Sequence, residues 1–287
     1  MSIKNDRLLT KAKKLVKKGE IKEARQIYLN ILESSPSSKE AKTGLKSIEN
    51  EATAQLSQEQ LDYVIQLYSS GQMDKALLSI KELIQDFPNI PLLHNISGAC
   101  NSALGEIDSA IISFNKAIKL KPDYEEAYFN LGVAFHQTGQ LGEAINCYEK
   151  AILIKHAYPT AHNNLGLIAL SQGQLDNALK SLEWAVAYNP EYAEAHNSLG
   201  AAFQELNQFE KAMNSFNKAV TLNPQYSKGL LNMAIISEIM NLPDEASEYY
   251  EKVLTLEPNY TEAYRNQSRT KKYKKNDPQI AQMQSIY

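Results

Sequence analysis

Asn130, Asn164, Asn232 and Asn266 share one column of a 34-residue spacing, with Ser198 in the remaining slot. Each amide offers donors and an acceptor together, so such a column could hydrogen-bond the backbone of an extended peptide whatever its side chains. Asparagine is also a poor residue for a helix interior, so its recurrence needs a compensating interaction. Two readings stay open. Either the amides grip a peptide main chain, or each bonds the neighbouring repeat and shapes the array. On the first reading, replacing Asn130, Asn164 and Asn232 together by Ala removes binding and leaves folding intact.

Other reactive side chains follow the same spacing. His94, His162 and His196 fall in one column, 68 and 34 residues apart. Stacked a whole repeat apart, they cannot share one metal ion and read as helix-start residues. Tyr124, Tyr158, Tyr192, Tyr226 and Tyr260 repeat without a gap. That regularity favours packing over an aromatic ladder for a ligand. The chain contains no GxxxxGK[ST], GxGxxG, HExxH or GxSxG. We therefore expect no enzyme, no cofactor and no metal site.

The columns require elements that recur every 34 residues. Pro88, Pro122, Pro190, Pro224 and Pro258 set the register, and His156 fills the missing slot. Ala76, Ala110, Ala144, Ala178, Ala212 and Ala246 form a second column; Gly98, Gly132, Gly166, Gly200 and then Ala234 form a third. In 125–158, Tyr128, Leu131, Gly132 and Phe135 lie on one face of a helix, and Ala144, Ile145, Tyr148, Ala151 and Ile152 on one face of a second. Gly139 suits the stop between them, and proline ends the second helix. Pro91 and Pro159 open the units that follow, where a missing N–H costs nothing. Gly132 is expected to face Ala144 across the hairpin, with Ala151 facing the next unit and Leu131, Phe135 and Tyr148 filling the spaces between.

Composition agrees with a folded α-protein and narrows its partners. The chain has 287 residues, 43% apolar and 22% charged. No apolar run reaches the roughly 18 residues of a membrane span. The start, "MSIKNDRLLTKAKK", lacks the apolar stretch of a signal peptide. Cys100 and Cys147 form no CxxC pair and read as small buried hydrophobes. A cytoplasmic protein is expected. Charge is uneven: residues 1–50 carry a net +6, residues 51–262 a net −14 and residues 263–287 a net +5. Neither basic end shows the dense basic–aromatic interleaving of a nucleic-acid site, so solvated helix faces are the expectation.

The pattern resembles the tetratricopeptide repeat (TPR) family, whose 34-residue helix–turn–helix carries Leu-Gly and an aromatic on its first helix, then Ala, aromatic, Ala and Pro on its second. "NLGVAF", "NLGLIA" and "SLGAAF" carry the first part, and "EAINCYEKAI", "NALKSLEWAV" and "KAMNSFNKAV" the second. The resemblance implies an all-α TPR solenoid, a right-handed superhelix of antiparallel helix pairs with a concave groove, in which stacking supplies the core. Six units are expected at 57–90, 91–124, 125–158, 159–192, 193–226 and 227–260. Residues 1–56 read as a degenerate repeat (5–38) plus an extra helix (39–56), and residues 261–287 as a capping helix over 261–275 and a tail.

In this family the first helix of each unit lines the groove. That implies Asn95 in the second unit; Phe129, Asn130, Val133, His136 and Gln137 in the third; and Asn163, Asn164 and Leu167 in the fourth. Asn197 and Gln204 follow in the fifth, Asn232 and Ile235 in the sixth, and Asn266 beyond. The resemblance implies a protein- or peptide-binding scaffold with an extended segment in the groove. Apart from Lys228 the groove lacks the basic residues of the carboxylate-clamp relatives, so an acidic C-terminal peptide is not the expected ligand. "AHNNLG" and "AHNSLG" are also similar to the TPR array of O-linked N-acetylglucosamine transferase. The tail resembles the segment after the array in bacterial TPR–sulfotransferase fusions, though no sulfuryl-donor phosphate loop is present. Recruitment of substrate to a transferase domain, and self-association into a homo-oligomer, are the alternatives. No nucleic acid or membrane partner is expected.

Overall fold

The structure is a computed structural model and describes residues 3–53, 56–270 and 280. Among the described residues there are sixteen α-helices and no strand. Helices α1 (Ile3–Lys17) and α2 (Ile21–Ser34) come first, and α3 (Lys39–Thr53) stands alone after them. Then follow α4 (Gln58–Ser69) and α5 (Met73–Asp86), α6 (Pro91–Ala103) and α7 (Ile107–Leu120), and α8 (Glu125–Gln137) and α9 (Leu141–Ile154). The last pairs are α10 (Pro159–Ser171) and α11 (Leu175–Tyr188), α12 (Ala193–Glu205) and α13 (Phe209–Leu222), and α14 (Ser227–Ile239) and α15 (Pro243–Leu256); α16 (Thr261–Thr270) closes the series. Residues 54–55 of the helix expected over 39–56 lie outside the described residues. So do residues 271–275 of the helix expected over 261–275.

The turn inside each pair has one physical cause. The second residue after the first helix sits in the left-handed region: Gly105 at φ 82°, Gly139 at 74° and Gly173 at 71°, then Asn207 at 56° and Asn241 at 60°. Glycine enters this region without steric cost, and asparagine is the next most tolerant residue. The amide after it reaches back to close the helix end, as in Gln140 N–H to the Phe135 carbonyl at 2.9 Å. This satisfies a carbonyl that the helix leaves orphaned. Proline opens α6, α10 and α15 within the first turn.

Packing within the pairs follows the small columns, with one correction. The glycine column faces a large residue sixteen positions later, rather than the alanine column. A Cβ placed on Gly98 would lie 2.5 Å from the Phe114 ring, one on Gly200 2.6 Å from Phe216, and one on Gly166 2.5 Å from Leu182. The alanine column comes near only through backbone, the Ala178 carbonyl lying 3.3 Å from that same point on Gly166. Each glycine thus vacates the space that a ring or branched side chain fills. Ala76, Ala110, Ala144, Ala178, Ala212 and Ala246 are all wholly buried.

Contacts group the chain into two compact units, residues 1–144 and 145–287, divided inside α9. In the first unit, α3 packs on both α1 and α2 as the first helix of a following repeat would. The core there includes Leu9, Tyr28, Ile31 and Ile48. A second core joins Val64, Ile80, Leu93 and Cys100, and α6 packs on α7 and α8. In the second unit, α10 packs on α11 and α12, and α12 on α13 and α14. Phe216, Met233 and Ile236 form one of its cores, and Leu230, Tyr250, Val253 and Tyr264 another. Both cysteines are buried, and burial pushes the Cys100 thiol up to about 11. Among the described residues no helix is long and apolar enough to cross a membrane.

Candidate functional site

The asparagine column is engaged between repeats. Asn130 Nδ2 donates to Asn95 Oδ1 at 3.1 Å, and Asn232 Nδ2 donates to Asn197 Oδ1 at 2.9 Å. Both bonds span 35 residues, so each ties a first helix to the first helix of the next repeat. The acceptors Asn95 and Asn197 are buried. This is the neighbouring-repeat bond that the sequence left open, and it compensates the helix propensity that Asn gives up. It also corrects the expectation that a triple Asn→Ala variant leaves folding intact. Losing Asn130 and Asn232 strands two buried carboxamide oxygens.

Where the acceptor asparagine is missing, a tyrosine replaces it. The residue 35 before Asn164 is Phe129, which has no amide. Asn164 instead donates to the Tyr148 hydroxyl at 3.2 Å, sixteen residues back. That slot holds Phe114 and Phe216 in the repeats where Asn130 and Asn232 already have an asparagine partner. Asn266 shows the same substitution, with Leu231 35 residues earlier and Tyr250 sixteen earlier. Its approach falls short of a well-aligned hydrogen bond, and the Tyr250 hydroxyl is buried without one. Burial holds the Tyr148 phenol up to about 12, against the opposing pull of Asn164. Burial likewise raises Tyr250, with help from the neighbouring Glu238.

One rung is broken. Asn163 is 4% exposed and occupies the acceptor slot, but the residue 35 later is Ser198. Ser198 Oγ turns to its own helix and donates to the Glu194 carbonyl at 2.9 Å. The sixteen-back slot holds Leu182, which has no hydroxyl. Asn163 Oδ1 is therefore buried without a hydrogen-bond partner. A buried acceptor left unpaired is costly, on the order of 1–3 kcal/mol.

Asn163 and Ser198 are both walls of a cavity of about 510 Å³ built by α10, α12 and the start of α14. It brings together five of the residues expected in the groove: Asn163, Leu167, Asn197, Gln204 and Asn232. Tyr192, Tyr226, Glu194, Glu205 and Lys228 complete its polar rim, with Ala201 and Leu170 as apolar patches. Leu167 is 37% exposed, high for a leucine. Burial lifts the pKa of Tyr192 and Tyr226, with Glu194 adding to both. Asn164, Ile235 and Asn266 are not among the cavity walls; Asn266 is buried, and Ile235 packs partly buried against the core around Leu230 and Tyr250.

The remaining expected residues lie in the first unit. Phe129 and Val133 are half-buried on α8, and His136 and Gln137 are exposed in its last turn. Ser102 Oγ donates to Gln137 Oε1 at 3.5 Å, a long contact. Asn95 also donates from Nδ2 to the Tyr124 hydroxyl at 3.4 Å. Burial chiefly, then the charge on Glu126, push that phenol up to about 12.

The histidine column has a structural task. His94 Nε2 contacts the Pro88 carbonyl oxygen at 2.8 Å, His162 the His156 carbonyl at 3.0 Å and His196 the Pro190 carbonyl at 3.0 Å. Each donates to the loop six residues back and fixes entry into the next helix. Among the described residues, no cluster of His, Cys, Asp or Glu is arranged to hold a metal.

A further feature, not expected from the sequence, lies where α9, the loop after it, α10 and α11 meet. His156, His162, Trp184 and Tyr188 cluster, with Trp184 stacked on Tyr188 at 5.3 Å and His156 edge-on to Trp184 at 5.9 Å. They border a cavity of about 560 Å³ that includes Ile152, Leu153 and Leu165. The signal was available: Trp184 stands in a column that holds Lys116, Lys150, Lys218 and Lys252 in four of the other five units and Glu82 in the first. The broken rung was equally visible, as the 35-residue separation between two asparagine columns.

Comparison with known proteins agrees with this architecture. Family models described as TPR repeat match residues 103–139 and 134–173. Models described as tetratricopeptide repeat match 163–227 and 227–260. Together they run without a gap over more than half of the chain. No curated protein matches in sequence. Among solved structures, the chain is similar to one from the APC/C hetero-tetramer Cut9-Hcn1 (TM-score 0.67, 18% identity), covering 92% of this chain and 55% of that one. It thus spans about half the length of that relative. It is similar to PilF of Pseudomonas aeruginosa (TM-score 0.67, 16% identity, 77% of this chain and 99% of that one). It is also similar to YrrB, described as a TPR protein with an unusual peptide-binding site (TM-score 0.54, 19% identity, 66% of this chain and 97% of that one). From its repeat columns, its helix pairs and these matches, the chain belongs to the tetratricopeptide repeat family.

Proposed function

We propose that this protein is a binding scaffold that holds an extended segment of another protein against the faces of its first helices. It acts by binding and not by catalysis. The observation that carries this reading is the cavity of about 510 Å³ formed by α10, α12 and α14. Its walls are amides, hydroxyls and apolar side chains, with Glu194, Glu205 and Lys228 at the rim, a mixture that suits main chain with alternating side chains better than a small apolar molecule. On this reading, Asn163, Leu167, Asn197, Gln204 and Asn232 meet the segment in the second unit. Asn95, Phe129, Asn130, Val133, His136 and Gln137 offer a similar face in the first. Placement in the cytoplasm is part of the same reading.

The test compares two variants as baits in the source lysate, with captured proteins measured by quantitative mass spectrometry. Leu167→Arg with Ala201→Arg fills the cavity with bulk and charge. Trp184→Arg alters the separate aromatic cavity bordered by α9, α10 and α11. A partner lost from the first variant and kept by the second supports the reading. Partners retained equally by both sink it.

A further inference from the structure

We infer that Asn163 Oδ1 is the acceptor for a main-chain N–H of the bound segment, and that the broken rung at Ser198 is the point where a peptide bond completes the repeat. This rests on the binding-face reading above and names the atom that would recognise the segment.

The repeats themselves supply the control. Asn95 and Asn197 occupy the same slot as Asn163, and each accepts a carboxamide N–H from the following repeat, at 3.1 and 2.9 Å. At Asn163 the donor carboxamide has been replaced by the hydroxymethyl group of Ser198. That side chain is shorter by one bond, about 1.4 Å. From a position that gave the other two rungs, it leaves the donor beyond the roughly 2.7–3.2 Å of an N–H hydrogen bond. Ser198 has accordingly turned to Glu194, and the oxygen of a 96%-buried side chain is left unmet. The tyrosine that accepts from Asn164 has no counterpart here either, since Leu182 stands sixteen residues before Ser198.

The chemistry of the missing partner identifies the occupant. The group absent from this rung is a carboxamide, and a peptide bond carries the same N–H and C=O pair in the same plane. Asn163 and Ser198 both line the cavity, and so does Asn197, whose rung to Asn232 stands intact beside them. Asn130, Asn164 and Asn232 already donate to partners within the array. The vacancy at Ser198 moves main-chain recognition from that column to Asn163.

Random dodecapeptides displayed on phage, selected in parallel on the wild-type chain, Ser198→Asn, Asn163→Leu and Ala201→Arg, test this. Ser198→Asn restores the rung and should melt at or above the wild-type temperature. Asn163→Leu removes the acceptor without lengthening the partner, and serves if the first variant folds poorly. Peptides enriched on the wild type should bind both variants about tenfold more weakly or worse, the effect of one buried hydrogen bond lost with its partner stranded. Resynthesis with single backbone N-methyl groups should show one position whose methylation weakens wild-type binding similarly and Asn163→Leu binding no further. Peptides that keep their affinity for Ser198→Asn and Asn163→Leu but lose it on Ala201→Arg would overturn this inference and leave the binding face standing. Affinity kept on all three would overturn both. A library with no peptide enriched on the wild type over the two rung variants would also overturn the inference.

Discussion

Asn232 on α14 donates to Asn197 on α12 at 2.9 Å, across 35 residues of sequence. The bond joins consecutive repeats through their first helices, where contact is otherwise slight compared with that inside each pair. An amide column on the candidate face is therefore also part of the frame.

Asn232→Ala is expected to destabilise the protein by about 1–3 kcal/mol, because Asn197 Oδ1 is left buried and unpaired. Asn130→Ala should do the same through Asn95. Replacing both partners, Asn197→Leu with Asn232→Leu, should cost less than Asn232→Ala alone, since no orphan remains. Urea unfolding of the three variants checks the order; equal costs would refute the rung.

Tyr148→Phe keeps the ring and removes the hydroxyl that Asn164 uses. The expected loss is about 0.5–1.5 kcal/mol. Phe114→Tyr should bring no matching gain, because Asn130 is already engaged with Asn95. Thermal melting of the two variants reads this asymmetry.

Ala178→Leu should overpack the hairpin of α10 and α11. Ala178 is wholly buried, and its carbonyl lies close to Gly166. A cost of about 1–3 kcal/mol is expected, and an unchanged melting temperature would contradict the packing described.

His94 and His162 give a pH dependence. Desolvation lowers both below their ordinary value, against the raising effect of the bonds to Pro88 and His156. The unfolded chain then binds protons more readily than the folded one in the window just below the ordinary histidine value of about 6.5. Stability is fully present above that value, and is lost as pH falls toward the lowered folded values. Melting temperature should fall on acidification from neutral pH to about 5, and the fall should shrink in a His94→Gln, His162→Gln variant. A fall of the same size in that variant would assign the effect to other groups.

The helix pairs were legible because their causes are local. Gly139 and Gly173 mark the left-handed stops, and the later periods substitute Asn207 and Asn241 without changing the geometry. The extra helix at 39–53 was legible as a helix, but its packing on α1 and α2 as though it opened a new repeat was not. The glycine column was read as small but matched to the wrong partner. Which large residue fills the space beside Gly98 depends on how two helix surfaces interlock, and the period itself does not say.

For the candidate site the division is sharper. The sequence alone determined the family, the helix-pair period and which residues share a column, because a 34-residue period leaves little freedom in where a side chain recurs. It placed asparagines on the first helices and left two tasks open for them. Only the tertiary structure decided between those tasks residue by residue, engaging Asn130 and Asn232 in rungs, diverting Asn164 to Tyr148, and leaving Asn163 unmet beside Ser198. The physical reason is reach: a hydrogen bond is made or lost within about half an ångström, and one bond of side-chain length, Asn against Ser, exceeds that margin.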